Sequence, residues 1–224
     1  MKKHTVGFLL IVVAVIAGII AMHYFKSSKP YGTVIILNGP SASGKSSIQK
    51  EFQHLMMPQL WIKLGIDNLF DTPMPDITLE NLAFWQEENP IRWVTTAKDA
   101  QQNSVITLLV GEQGEKVAYG MNSAIAAYAK AGCNIIVDYI AYKKEWADDL
   151  HAKLKDIKSY WVKVNIPLSV IEEREAARGT SPQGHARSHY DYVHWDIKYD
   201  LEANSATDSA VAIAQQIKDF ITHK

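Results

Sequence analysis

The chain has 224 residues, of which 47% are hydrophobic and 21% charged, an ordinary globular balance. Its formal net charge is −1 and it holds no run of Lys or Arg, which excludes the electrostatic footprint of a nucleic-acid binder. A single cysteine, Cys133, excludes an intramolecular disulfide and reads as a small apolar packing residue.

Lys2 and Lys3 precede an uncharged run from Thr5 to Met22. At a helical rise of about 1.5 Å per residue this run reaches roughly 27 Å, close to the hydrocarbon thickness of a bilayer. It shows no polar face, as a core helix would. The expectation is one transmembrane helix, meeting the membrane through residues 5–25, with anchor and linker together occupying 1–30. A cleaved signal peptide is the alternative, but its apolar stretch is ordinarily about 7–15 residues and ends at a small-residue site that is not evident here. Lys2 and Lys3 on one side balance Lys26 and Lys29 on the other, so the positive-inside rule barely orients the span.

Beyond residue 30 the pattern alternates. Thr33 to Leu37 is a β-branched run bounded by Gly32 and Gly39, the mark of a buried parallel strand. A helix is expected from Lys45 to about Met56, before Pro58, then a strand over Leu60–Leu64 and a turn-rich loop over Asp71–Pro75. Residues 76–110 carry little pattern beyond a helix near Leu79–Glu88 and a short strand over Val105–Val110. A long Ala-rich helix follows over Glu115–Ala131, stopped by Gly132. Then come a strand (Asn134–Asp138), an amphipathic helix (Lys143–Leu154), a strand (Tyr160–Val164) and a helix over Pro167–Arg178. A polar loop spans Gly179–Gly184, and a closing helix covers Asp208–Thr222. Strands alternating with helices predict one α/β domain over 31–224 with a mostly parallel sheet.

Gly39-Pro40-Ser41-Ala42-Ser43-Gly44-Lys45-Ser46 fits G-x-x-x-x-G-K-[ST] between the first strand and the first helix, with Ser47 next in line. Main-chain N–H groups of such a loop, backed by a helix N-terminus, cradle phosphates. Lys45 reaches the β- and γ-phosphates, and the Ser46 hydroxyl is a ligand for Mg²⁺. The pattern therefore calls for ATP and Mg²⁺. Asp67 lies just past the second strand, at the carboxyl end that faces the ligand crevice. It suits either a base toward an attacking hydroxyl or a helix N-cap. Asp138 ends an apolar strand and suits either a second Mg²⁺ ligand or a structural cap or ion pair. Arg174, Arg178 and Arg187 flank the polar loop and suit either charge compensation at a transferring phosphoryl group or ordinary helix-surface pairing. His185, His189 and His194 match no metal-ligand spacing.

Four ordered stretches carry a family resemblance: IILNGPSASGKSSI from Ile35, LGIDNLF from Leu64, AGCNIIVDYI from Ala131, and EEREAARG from Glu172, which continues through GHAR at Gly184 and VHWDIKYDLE at Val193. With them the chain resembles the chloramphenicol phosphotransferase-like family of P-loop kinases from about Gly32 to Phe220. The resemblance implies a P-loop NTPase fold of the nucleoside/shikimate-kinase-like kind, a three-layer sandwich. It also implies ATP phosphate and Mg²⁺ binding by Lys45 and Ser46, Asp67 as base, and Arg178 as the lid arginine. Three positions depart from the family pattern. Tyr139 follows Asp138 where a second acid can stand, Arg178-Gly179-Thr180-Ser181 lacks a second lid arginine that Arg187 would replace, and Glu202-Ala203-Asn204 lacks a further acid.

The expected function is ATP-dependent transfer of the γ-phosphate to a hydroxyl of a small molecule. The catalytic set is Asp67, Lys45, Arg178 and Arg187. Two alternatives remain open, a zeta-toxin-like nucleotide-sugar kinase and a membrane-tethered ATP-binding module without turnover. Because ATP is abundant in the cytosol, the anchor implies a single-pass protein of a bacterial inner membrane with its kinase domain in the cytoplasm.

Overall fold

The computed structural model describes residues 30–71, 73–99, 102–179 and 181–223. Within it, Tyr31–Lys224 form one compact unit. The strands are β1 (Val34–Asn38), β2 (Trp61–Gly65), β3 (Ile91–Lys98), β4 (Ser104–Val110), β5 (Asn134–Tyr139), β6 (Ser159–Asn165) and β7 (Leu201–Asn204). The helices are α1 (Lys45–Met56), α2 (Leu82–Gln86), α3 (Glu112–Lys130), α4 (Lys144–Lys153), α5 (Leu168–Arg178), α6 (His185–His189) and α7 (Ala210–Thr222), and Asp67–Asp71 form a π-helical turn.

Five strands make one wholly parallel sheet in the order β2-β5-β1-β6-β7. Alternation along β1 separates the two cores. Val34 and Ile36 face Ile125, Ala129 and Leu150 of α3 and α4, whereas Ile35 and Leu37 face Ile48 and Phe52 of α1 and Ile213 and Ile217 of α7. The result is the expected three-layer α/β arrangement. Both faces of the sheet are covered, which is why β1 reads as a continuous apolar run. The chain leaves β1 toward β2 on one side and returns to β6 on the other, so the direction of strand order reverses beside the carboxyl end of β1. That is where a ligand crevice opens in sheets of this type.

A second, two-stranded antiparallel sheet pairs β3 with β4, matching Ile91 with Val110 and Trp93 with Leu108. It joins the domain through α6. The Ile106 N–H donates to the Gly184 carbonyl at 3.1 Å, and a Cβ on Gly184 would stand 1.9 Å from the Ser104 carbonyl oxygen. Gly184 also has φ +91, so the seam between hairpin and α6 needs glycine on two counts.

The expected membrane helix must be corrected. The anchor over residues 5–25 lies outside the described residues, and among the described residues no helix is long and apolar enough to cross a membrane. The longest of them, α3, has 19 residues but carries Glu112, Glu115, Lys116 and Lys130. The single-pass placement in an inner membrane, and membrane contact as a partnership, are therefore not supported.

Candidate active site

The phosphate-binding loop runs from the end of β1 into α1, as the spacing requires. Gly44 has φ 90, a left-handed conformation that turns the chain into the helix. Lys45 is 4% exposed. Its Nζ donates to the carbonyls of Gly39 at 2.9 Å and Pro40 at 2.8 Å, to Ser43 Oγ at 3.3 Å, and lies 3.4 Å from Asp138 Oδ1. Burial lowers the pKa of this ammonium, against the opposing pull of Asp138 and Asp67.

Ser46 Oγ donates to Asp138 Oδ2 at 2.7 Å. Residues 92 apart in sequence meet because β1 and β5 are adjacent, with Leu37 paired to Asp138, and α1 starts just past the end of β1. A hydroxyl and a carboxylate side by side at the loop are hard oxygen donors of the kind Mg²⁺ takes. The pair fits that ion.

Asp67 opens the π-helical turn directly after β2. Partial burial raises its carboxyl pKa, and the neighbouring carboxylates of Asp138 and Asp71 raise it further, while Lys45 and Arg178 act the other way. Arg178 ends α5 just before Gly179, and its guanidinium donates to Ser181 Oγ at 2.9 Å. Arg174, one turn earlier, donates to the Ser205 carbonyl at 2.7 Å.

Two cavities meet here. One, of about 530 Å³, lies over the phosphate loop and extends past Arg174 to Ser205, Asp208 and Ser209. The other, of about 1000 Å³, is walled by the π-helical turn, α2, the β3–β4 hairpin and the start of α6. Ser41, Ile66, Asp67, Ile140 and Arg178 border both, so a carboxylate and a guanidinium stand where the two spaces join.

The structure thus brings Lys45, Ser46, Asp67, Asp138 and Arg178 to one place. Gly39 and Pro40 serve through their carbonyls on Lys45, while Ser41, Ala42, Ser43, Gly44 and Ser47 line the first cavity. Arg187 stands apart. It is ion-paired with Asp99 and Glu172 and borders neither cavity. Tyr142, Trp85, Trp93 and His185, which line the second cavity, and His189 beside Ser41 are site residues that only the fold brings out. Tyr142 directly follows the β5 motif, and His185 and His189 sit in the GHAR segment, so position along the motifs was the available signal.

The family profile described as "Chloramphenicol phosphotransferase-like protein" matches residues 32–222. The chain belongs to the chloramphenicol phosphotransferase-like family. Two relatives from Mycobacterium tuberculosis strains, named "Putative O-phosphotransferase MT2714" and "Putative O-phosphotransferase Rv2636", are each 28% identical over 190 residues, covering 85% of this chain and 82% of the relative. Among solved structures, the APS kinase CysC of Mycobacterium tuberculosis in complex with AMPPNP and APS superposes with a TM-score of 0.55 at 16% identity, covering 86% of this chain and 99% of that one. The shikimate kinase of Acinetobacter baumannii in complex with shikimate gives 0.52 at 11% identity, covering 88% and 95%. At such identities these two establish the fold, a P-loop kinase fold. With the family they make this chloramphenicol phosphotransferase-like chain a kinase-type phosphotransferase.

Proposed function

We propose that the protein transfers the γ-phosphate of ATP to a hydroxyl of a small molecule held in the larger cavity. The observation that carries this reading is the junction of the two cavities at Asp67 and Arg178. A triphosphate laid along the loop from the Ser205–Ser209 end would bring its terminal phosphorus to that junction. Ser46 and Asp138 would hold Mg²⁺, which when bound would supply positive charge against the phosphates.

The protein's own groups divide the work. Loop N–H groups and Lys45 hold the phosphates. Asp67 faces the acceptor space and takes or orients the hydroxyl proton, a role that suits a carboxylate whose pKa burial and the carboxylates of Asp138 and Asp71 raise above its ordinary value. Arg178 offsets charge on the migrating group, and its place at the end of α5 beside Gly179 lets it approach from the lid side. Arg187, held by two carboxylates, supports the lid from outside.

The larger cavity also bears on the acceptor. Its wall carries Asp67, Asp71 and Asp76 against Arg92 and Arg178, with Trp85 and Trp93 beside them. Arg92 is already engaged by the Gln86 carbonyl at 2.6 Å. Such a wall repels an acceptor that itself bears phosphates, so a small uncharged or cationic alcohol is favoured over a nucleotide sugar.

Full-length protein incubated with Mg²⁺ and γ-labelled ATP, against a panel of small alcohols, tests the reading. Label should pass to an alcohol, Asp67→Asn should abolish transfer, and MgATP binding should survive that change. Turnover of the Asp67→Asn protein at the parent rate would remove the role given to Asp67. Absence of saturable MgATP binding to the parent would remove the function itself.

A further inference from the structure

His189 lies on α6 and is fully buried. Its Nε2 accepts the backbone N–H of Ser41 at 3.1 Å. An accepting Nε2 requires a neutral ring with its proton on Nδ1, which faces Ser188 Oγ at 3.4 Å. Burial, with His185 and Lys45 nearby, keeps the imidazole in that neutral form by holding its pKa well below the usual value.

The bond matters because of what Ser41 adjoins. Gly39 and Pro40, the two residues before it, supply the carbonyls that hold Lys45 Nζ at 2.9 and 2.8 Å. Ser41 itself borders both cavities. Within the turn, the Ser43 N–H reaches the Pro40 carbonyl only at 3.3 Å, so the imidazole is the shorter of these two anchors. On its other side the His189 ring packs against Tyr142, with centroids 5.0 Å apart, and His185, at 4.8 Å. Both of those line the larger cavity.

We propose that His189 is a positioning residue for phosphoryl transfer: through the Ser41 N–H it fixes the Gly39–Ser41 turn, and so the place where Lys45 meets the terminal phosphate. This rests on the reading of the smaller cavity as a nucleoside triphosphate site. Of this turn Ser41 borders both cavities, at the junction to which the proposed function brings the γ-phosphate, whereas the inner phosphates would lie along the helix-backed part of the loop. Loss of the imidazole acceptor therefore acts on the terminal phosphate more than on the rest of the nucleotide.

The test compares His189→Gln with His189→Met in the full-length protein. Glutamine carries an acceptor oxygen near the position of Nε2, whereas methionine fills a similar volume without one. Calorimetric titration with Mg·ADP and Mg·AMPPNP reads the effect. For His189→Met, AMPPNP affinity should fall about tenfold, the scale of one unsatisfied buried N–H, and ADP affinity less than about threefold. His189→Gln should restore most of the AMPPNP-to-ADP ratio. A merely structural role would lower melting temperature, or both affinities alike, without moving that ratio. An unchanged ratio in His189→Met, or a His189→Gln protein no better than His189→Met, overturns the proposal. Should both variants fail to fold, amide hydrogen exchange in the parent decides. The Ser41 N–H should be protected without nucleotide, and exchange at the rate of an open amide overturns the proposal. A parent protein that binds neither nucleotide would instead overturn the function it rests on.

Discussion

Ser46 Oγ and Asp138 Oδ2 stand 2.7 Å apart, one at the start of α1 and the other near the end of β5. The bond ties the phosphate loop to the neighbouring strand and sets two hard oxygens side by side, an arrangement that suits a single Mg²⁺. Asp138→Asn keeps the shape but weakens the ligand. It should raise the Mg²⁺ concentration needed for half-maximal turnover by at least about tenfold, read from a Mg²⁺ titration of phosphotransfer at fixed ATP. An unchanged Mg²⁺ dependence would place the ion elsewhere.

Asp67 yields a prediction about stability as well as rate. Its folded-state pKa is raised by burial and by Asp138 and Asp71. A carboxyl with a raised pKa favours folding when protonated, and that contribution is lost as pH rises through the folded pKa. At neutral pH the ionised group therefore costs stability. Asp67→Asn should raise the melting temperature relative to the parent, more at pH 8 than at pH 5, while transfer is lost. For the parent, kcat should fall on acidification as the base becomes protonated.

Arg178 and Arg187 should separate cleanly. Arg178→Ala should lower kcat on the order of 10²–10³-fold with little change in melting temperature. Arg187→Met leaves Asp99 and Glu172 without their shared cation and should cost about 2 kcal/mol in urea unfolding, with MgATP affinity preserved. A large direct effect of Arg187→Met on kcat at full stability would give Arg187 a place in the reaction.

Glu175 is 2% exposed and accepts two backbone N–H groups at the start of α6, from Gly184 at 2.7 Å and Ala186 at 2.9 Å. Glu175→Ala leaves both donors buried and unpaired and should cost about 3 kcal/mol in equilibrium unfolding. Glu175→Gln, which retains one acceptor oxygen, should cost less.

Gly184→Ala should destabilise by about 2–4 kcal/mol, since a Cβ would collide with the Ser104 carbonyl at a backbone angle that L residues resist. The same variant should loosen the β3–β4 hairpin, seen as faster amide exchange at Ile106, whose N–H is bonded to Gly184.

The parallel sheet was legible from the chain because each of its inner strands is a short apolar run closed by Gly, Asn or Asp. The limits expected for α1, α3, α4 and α5 fell within a few residues of those found. The outer strand β7 was not expected. Its Leu-Glu-Ala-Asn buries only Ala203, so neither alternation nor β-propensity marks it. The hairpin escaped for a related reason. Strand β3 opens Ile-Arg-Trp, with Trp93 left 45% exposed, because these residues wall a cavity rather than fill a core. Strand β4 was expected, but its partner was not. The phosphate loop was legible because its chemistry dictates a fixed spacing within eight residues. The cluster of Tyr142, His185 and His189 was not, since nothing local shows that segments more than forty residues apart meet beside Ser41.

The hairpin pairs with no strand of the main sheet and meets the domain along the Gly184 seam, α2 and the start of α3. Its side chains can therefore change without altering any strand pairing of the main sheet. Ile91, Arg92, Trp93 and Leu108 wall the larger cavity and none of them borders the smaller one, so substitutions there would act on what the larger cavity admits.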